Sequence, residues 1–283
     1  MVSFFLSICT QAAAKRLVSH WKNRRILFGE QRAFLPMTLA GAMKDDLPEV
    51  KQGYVRRLPN DKNGRPVLFV DRVGSTKASG YNRDAFLRTL WYHFQVLAEN
   101  PDYQKKGYVF LVNLKDYCPH KCADRIGAKK AFLIIRECAA VRVKGYHSTY
   151  GSKQTPVKIV EPQIRAMQGR HIRLHLVHHY GTDEANLESM EPYGLKKEGL
   201  PAVIGGDQTL LTHYKWILER DAFESRRDNK ARQLSDEILS ELEDGQEPIE
   251  EAAVTSVTVS RVNSASPTSI RRMVRLPSSL RNG

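Results

Sequence analysis

A short apolar run, Gly107-Tyr108-Val109-Phe110-Leu111-Val112-Asn113, sets the fold class of this sequence. Its apolar residues do not alternate with polar ones, so the run predicts a strand that is covered on both faces, as in a parallel sheet. Residues 65–71 form a second predicted strand, which follows a turn at residues 61–64. A helix is predicted between the two strands, because Asn82 can cap its start and apolar residues recur every three or four positions over residues 86–97.

Helices and strands continue to alternate downstream of this run. The predicted elements are a helix at 124–138, a strand at 142–147, an amphipathic helix at 155–168, a half-buried strand at 170–178, a short helix within 182–194 and a last helix at 209–223. This alternation is typical of an α/β domain in which helices flank a mainly parallel sheet.

The composition limits the classes of protein to which the chain can belong. The chain has 283 residues, and its 44 Lys and Arg outnumber its 31 Asp and Glu, which gives a net charge of +13. A basic surface favours anionic partners such as membranes, phosphorylated headgroups or nucleic acids. No stretch approaches the ~20 apolar residues that a membrane-spanning helix needs.

The cysteines predict neither a disulfide scaffold nor a metal site. Four cysteines in 283 residues are too few for such a scaffold. This low number fits a reducing compartment. Cys118 and Cys122 would need Cys138 and His147 to complete a zinc site, and the spacing lacks the two regular pairs that closed zinc sites usually show. We therefore expect no metal and no cofactor.

Charge, composition and the alternation of elements predict four regions: a helical lead-in at 1–54, an α/β domain at 55–223, an acidic helical extension at 224–251 and a disordered tail rich in Ser and Arg at 252–283. Residues 233–251 contain eight acids and no Lys or Arg, whereas the tail contains five arginines and no acid. The other 39 basic and 23 acidic residues give residues 1–232 a net charge of +16. The apolar residues 2–8 suggest a signal peptide, but they lack a basic preceding region, which favours a short amphipathic lead-in helix.

Three motifs resemble those of one known family. They are Asp61-x-x-Gly64-Arg65-Pro66-Val67-Leu68-Phe69, Arg142-Val143-x-x-Tyr146-His147 and Leu200-Pro201-Ala202-Val203-Ile204-Gly205-Gly206-Asp207. Their order and spacing resemble the CRAL-TRIO lipid-binding domain of phosphatidylinositol/phosphatidylcholine-transfer proteins. The resemblance covers residues 55–223 well and residues 20–54 loosely. It implies that the region at 1–54 is a reduced form of the helical lead-in that often precedes this domain.

This resemblance implies a hydrophobic pocket whose floor is the sheet and whose movable gate is the helix at 155–168. The implied lipid-binding residues are Phe69, Val109, Leu111, Arg142, Tyr146, His147, Val157, Val160, Ile164, Met167, His171, Ile172 and Leu174. The implied closing residues are Pro201, Gly205 and Gly206, where glycine permits a positive φ or close backbone packing.

The sequence also departs from the family pattern. Val141 stands where an acidic residue precedes the matching arginine in the phosphatidylinositol-transfer branch, and His171 stands where a lysine is usual. Both changes weaken a phosphatidylinositol headgroup site, so the resemblance implies a hydrophobic ligand rather than a named lipid. Arg142 either binds a headgroup or pairs with a carboxylate elsewhere in the protein.

Two classes of function remain open from the sequence. The first is a non-catalytic carrier that binds a hydrophobic ligand, such as a phospholipid, and transfers it between membranes. The second is a regulatory or interaction module with a degenerate pocket, which the polar residues of the predicted gate favour. No phosphate loop, nucleophile elbow or metalloprotease motif indicates an enzyme. We expect a cytoplasmic monomer that contacts anionic membranes transiently and binds no nucleic acid.

Overall fold

The computed structural model describes residues 2–115, 124–151, 165 and 172–244, with side chains for 10–115, 124–151, 165 and 172–236. The chain forms two compact units, Met1–Ala231 and Arg232–Gly283. The sheet belongs to the first unit, and the described part of the second is helical up to Asp244.

The elements follow one another in an α/β order. They are α1 (Val2–Arg32), a 3-10 turn (Lys44–Asp46), α2 (Leu47–Gln52), β1 (Val55–Leu58), β2 (Val67–Asp71), α3 (Arg72–Lys77), α4 (Arg83–Ala98), α5 (Pro101–Lys106), β3 (Tyr108–Asn113), α6 (Arg125–Leu133) with a π-helical turn (Ile134–Cys138), β4 (Val143–Tyr150), β5 (Leu176–Tyr180), α7 (Asp183–Met190), three 3-10 turns (Glu191–Tyr193, Lys197–Gly199, Ala202–Ile204) and α8 (Leu210–Asp244). Gly29, with φ of +79°, interrupts α1.

The five strands form one sheet in the order β1-β2-β3-β4-β5. β1 is antiparallel to β2, and the other neighbouring pairs are parallel. β3 lies at the centre, and all six of its residues are buried, as the apolar run predicts. The predicted α/β class with a mainly parallel sheet is therefore confirmed.

One face of the sheet, here called the helical face, is covered by helices. Its strand residues belong to a large apolar cluster with residues of α1, α4 and α6, and Tyr92, Tyr108 and Phe110 are among its largest fully buried side chains. Asn82 caps α4 by accepting hydrogen bonds from the N–H groups of Asp84 and Ala85, as predicted. The capped, amphipathic α4 thus supplies most of this layer.

The opposite face, here called the coil face, is covered by the end of α7 and the short turns that follow it. Phe69, Val109 and Leu111 alternate with the residues of the helical face and pack against the segment at 187–204. The members that this segment contributes are Leu187, Met190, Leu195, Leu200 and Ile204. These apolar residues fill the space below the central strands.

The lead-in is fixed to α4 through a buried carboxylate. Asp46, only 4% exposed, accepts hydrogen bonds from Arg32 at 2.5 Å and from Arg88 at 2.7 and 2.8 Å. Two arginines compensate one desolvated carboxylate, so the lead-in and the sheet layer pack as one body.

A second buried carboxylate, in the first half of α8, fixes this helix to the lead-in and to α4. Glu224, 2% exposed, accepts hydrogen bonds from Leu39 N–H at 2.6 Å, Tyr92 Oη at 2.8 Å and Arg220 Nε at 2.5 Å. Arg220 also donates two hydrogen bonds to Glu99. Burial, together with the Glu224 carboxylate, raises the pKa of Tyr92, so the phenol stays protonated and donates to Glu224.

Two predicted elements differ from the structure. The strand predicted at 170–178 is wrong in its bounds: residues 172–173 are helical, residues 174–175 form a turn, and β5 covers Leu176–Tyr180. The last helix is longer than predicted, because α8 continues beyond residue 223 to Asp244. The helix predicted at 155–168 lies outside the described residues, apart from the helical Arg165.

Candidate functional site

Three aromatic side chains form a surface on the helical face at the end of β4 and β5, here called the aromatic platform. The rings of Tyr150 and Tyr180 are stacked, with centroids 5.1 Å apart and planes 14° apart. His178 lies 5.4 Å from Tyr150 and 5.9 Å from Tyr180. The register pairs Tyr150 with Tyr180, so parallel pairing brings together residues that are far apart in the sequence.

The aromatic platform extends from the core to the surface. Tyr150 is buried, His178 is half-buried and Tyr180 is 40% exposed. On the core side, Tyr146 continues the same face and lies 5.5 Å from Phe110. Tyr150 is the last residue of β4, and the predicted gate at 155–168 begins five residues later in the sequence.

Five of the predicted lipid-binding residues lie outside the described residues. They are Val157, Val160, Ile164, Met167 and His171. Their contact with a ligand stays a prediction.

The other predicted lipid-binding residues lie on both faces of the sheet. Phe69, Val109 and Leu111 lie in the apolar cluster of the coil face, and His147 points to that face as well. Tyr146 and Ile172 belong to the cluster of the helical face. A sheet separates the two groups, so they do not line one common pocket.

Two predicted residues lie at the surface. Arg142 is exposed just before β4, where its carbonyl accepts a hydrogen bond from Tyr108 N–H. Leu174 is 70% exposed in the turn before β5, because the strand begins at Leu176, six residues later than predicted. Ligand binding by either residue stays a prediction.

The predicted closing motif forms a tight turn against the coil face. Gly205 has a φ of +89°, and a Cβ on Gly206 would lie 2.1 Å from the carbonyl oxygen of Leu200. Pro201 pairs with Gln208 in an isolated bridge. Both physical reasons for glycine therefore apply, one at each position, and the motif lies on the face opposite the aromatic platform.

A chain of hydrogen bonds connects two histidines and a serine on the coil face. His147 Nδ1 lies 2.9 Å from His179 Nε2, and His179 Nδ1 lies 2.7 Å from Ser189 Oγ. Ser189 donates its hydroxyl proton to the carbonyl of Asn186, 2.8 Å away. His179 Nδ1 therefore donates to Ser189, and His147 Nδ1 donates to His179. Ser189 consequently gives no proton to a base, so this chain does not activate a nucleophile.

Burial keeps both histidines neutral. Desolvation, followed by the effect of the neighbouring His179, lowers the pKa of His147 to about 3. Desolvation also lowers the pKa of His179 to about 4. The hydrogen-bond chain is thus a structural element at neutral pH, and its protonation in acid would break the bond between the rings.

The sequence alone does not mark Tyr150, His178 and Tyr180 as site residues. Their signal is the occurrence of aromatic residues at alternate positions in two strands, which becomes informative only when the register is known. His178 and His179 are adjacent in β5 and therefore point to opposite faces of the sheet. His175 falls within the strand predicted at 170–178, but it lies in the turn before β5.

Two surface grooves lie along the β1 side of the described protein. One of about 490 Å³ lies between residues 58–62 and 194–200, and one of about 360 Å³ lies between residues 56–59 and the start of α8. Neither is lined by a predicted lipid-binding residue. Within the described residues, no three or more His, Cys, Asp and Glu side chains are grouped to bind a metal, and no helix has the length and hydropathy required to span a bilayer.

No protein-family model matches the chain, and no curated protein matches it. Among solved structures, 30 chains are similar to it. One is a crystal structure of Sfh5, which has a TM-score of 0.40 and 15% sequence identity to this chain. That similarity covers 61% of this chain, which spans 65% of the length of the Sfh5 chain.

Proposed function

We propose that this protein binds one hydrophobic ligand, a lipid of the phospholipid class, and transfers it between membranes. The observation that carries the proposal is the aromatic platform of Tyr150, His178 and Tyr180. It presents apolar ring faces and polar ring atoms together at one end of the sheet. Lipid sites combine these two properties, with concave apolar walls and a few polar groups for the head.

The position of the platform along the chain supports the same proposal. The motif residues Tyr146 and His147 lie within β4, and Arg142 directly precedes it. Tyr150 ends the strand, five residues before the predicted gate begins. A gate over the helical face would place an acyl chain between itself and the platform. Burial of an acyl chain contributes ~0.8 kcal/mol per CH₂, or about 10 kcal/mol for sixteen carbons before ordering costs.

The charge of the protein fits exchange at a membrane. Residues 1–232 carry a net charge of +16, and each Lys or Arg near an anionic leaflet contributes about 1 kcal/mol to association. The proposal requires no covalent chemistry and no metal. In this proposal the protein is a cytoplasmic monomer that contacts membranes transiently while its ligand enters or leaves.

Native mass spectrometry of the full chain purified from cells tests ligand binding. We expect an added mass of one lipid, and we expect Tyr180→Ser to reduce its occupancy several-fold because the variant removes the exposed ring of the platform. Tyr214→Ser on α8 is the matched control, since Tyr214 is 42% exposed and lies outside the platform. Transfer is tested separately with a fluorescent phospholipid moved from donor to acceptor vesicles.

One observation favours the alternative, a non-transferring interaction module. The predicted pocket residues Phe69, Val109 and Leu111 are fully covered by the chain's own apolar residues on the coil face. A protein that is reproducibly empty when purified, and takes up no phospholipid from vesicles, would support this alternative and overturn the carrier proposal.

A further inference from the structure

An exposed apolar surface lies on α1 and the turn that follows it, here called the α1 face. Its members are Leu17 (59% exposed), Val18 (68%), Trp21 (38%), Phe34 (63%) and Leu35 (44%). Scattered exposed apolar residues are ordinary, whereas a contiguous group that includes Trp and Phe marks an interaction surface.

The opposite side of α1 is fixed to the body of the protein. Arg16 donates hydrogen bonds of 3.0 Å to the carbonyls of Ala139 and Arg136, at and just after the π-helical turn. His20 Nδ1 lies 3.1 Å from the carbonyl of Cys138. These contacts fix the rotation of the helix about its axis, so the α1 face points outward.

The aromatic part of the α1 face is rigid. The rings of Trp21 and Phe34 are stacked, with centroids 5.6 Å apart and planes 15° apart. The Arg24 guanidinium lies 5.1 Å from the Trp21 ring and donates a 2.7 Å hydrogen bond to the carbonyl of Leu35. The surface is therefore held in place before it meets any partner, which lowers the entropic cost of binding.

Two exposed lysines lie beside the α1 face. Residues 1–29 contain five Lys and Arg and no acid, but Arg24 is buried against Trp21 and Arg25 pairs with Glu30. Arg16 lies on the opposite side of the helix. Lys15 and Lys22 are exposed, and at 100° per residue they lie beside the stripe formed by Leu17, Val18 and Trp21. Exposed Trp and Leu side chains with Lys beside them are typical of segments that lie in a membrane interface.

We propose that the α1 face docks the protein on an anionic membrane surface. Nucleic acid fits less well, because Leu17, Val18 and Leu35 cannot stack on bases or pair with phosphates. A folded protein would need a groove to receive the convex face of a single helix, whereas a fluid bilayer conforms to it. The role of this docking in the cell rests on the proposed function. Docking itself requires no bound ligand.

A second exposed apolar surface provides an internal comparison. Leu211 and Leu218 on α8 are 61% and 71% exposed, close to the values of Leu17 and Val18. Exposed acids, Glu219 and Asp221, follow Leu218 on the same helix. The α8 surface has similar apolar exposure with mixed charge, so it should not dock on an anionic membrane.

Binding to vesicles tests the proposal with the full-length protein. The vesicles contain phosphatidylcholine alone or with about 30% phosphatidylserine, which produces the negative surface potential. We expect co-sedimentation with the anionic vesicles only, and a blue shift in Trp21 emission that Trp21→Phe removes. Two double variants of the α1 face, Leu17→Ser/Val18→Ser and Lys15→Glu/Lys22→Glu, should each weaken binding by about tenfold or more. For the lysines, one basic residue near the surface changes binding by about fivefold.

Matched variants control for fold and total charge. The apolar control is Leu211→Ser/Leu218→Ser, and the charge control is Lys51→Glu/Lys105→Glu. Both change exposed residues outside the α1 face, so binding should stay within about twofold of that of the natural protein. Equal losses in control and α1 variants, or no loss in the α1 variants, would overturn the proposal. A salt-induced shift of Trp21 emission without vesicles would also overturn it, since it would indicate that the chain's own acidic segment covers this face. Native mass spectra of the α1 variants should keep the lipid, so failed docking is distinguishable from failed ligand binding.

Discussion

The two faces of the sheet are constructed from different kinds of structure. Regular helices cover the helical face, and its aromatic residues continue from the core to exposed Tyr180. One short helix, α7, and the turns after it cover the coil face, where Leu200 and Ile204 fill the space and polar groups are paired with one another. The comparison teaches that an α/β sheet with similar apolar residues on both faces can carry aromatic side chains from the core to the surface on one face and a closely packed apolar cluster on the other.

Removal of the buried carboxylate that anchors α8 should have the largest effect. Glu224→Ala leaves Leu39 N–H and Tyr92 Oη without their acceptor, so we expect the free energy of unfolding to fall by about 3–5 kcal/mol. Urea denaturation measures this change. Glu219→Ala on the same helix is the control, because Glu219 is exposed and should change stability by less than about 0.5 kcal/mol. Equal changes in the two variants would show that the helical layer does not depend on this carboxylate.

Acidification should weaken the coil face next most strongly. The unfolded chain binds protons at the ordinary histidine pKa of 6.5, whereas folded His147 and His179 bind them only near about 3 and 4. Their contribution to stability is present above pH 6.5 and is lost as the pH falls toward 4, by about 2 kcal/mol for each histidine at about pH 5.

The histidine pair can be isolated from the other titrating groups by substitution. His147→Gln/His179→Gln should be less stable than the natural protein at neutral pH but lose about 3–4 kcal/mol less on acidification. Urea denaturation at about pH 7.5 and about pH 5 measures the difference. An unchanged pH dependence would mean that the two rings are accessible to protons in the folded state.

Predictability from sequence also differs between the two faces. β3 and α4 were predicted because their patterns are local: an unbroken apolar run and an Asn82 cap followed by helical periodicity. β5 was predicted too early because Ile172, Leu174 and Leu176 alternate with polar residues like a strand, although only the last of them lies in one. The platform could not be predicted, since the pairing of Tyr150 with Tyr180 depends on the register of two strands.

The hydrogen-bond chain of the coil face was unpredictable for the same reason. His147 and His179 are 32 residues apart, and Ser189 reaches them from α7. The glycines of the closing motif were predicted correctly in kind, because a positive φ and a close backbone approach are local requirements. Their location on the face opposite the platform was not available from the sequence.

The smallest of the three stability effects should come from the turn that closes the coil face. Gly206→Ala would place a Cβ 2.1 Å from the carbonyl oxygen of Leu200, so the turn must shift and stability should fall by about 1–3 kcal/mol. Gly199→Ala is the control in the same segment, since its nearest contact would be 3.3 Å from the Pro59 side chain. Thermal unfolding measures both variants, and a Gly206→Ala variant as stable as the control would contradict the close packing of this turn.

Photo-crosslinking of a bound lipid tests the central claim most directly. A phospholipid with a diazirine in its acyl chain is loaded onto the full-length protein, irradiated, and its adducts are located by tandem mass spectrometry. Adjacent strand residues point to opposite faces, so adducts at His178 and Tyr180 are distinguishable from adducts at His179. The account predicts adducts on Tyr150, His178 and Tyr180. The ring of Tyr193 lies 4.7 Å from that of His147 on the coil face. Adducts concentrated on His179 and Tyr193, or no adducts at all, would contradict the account.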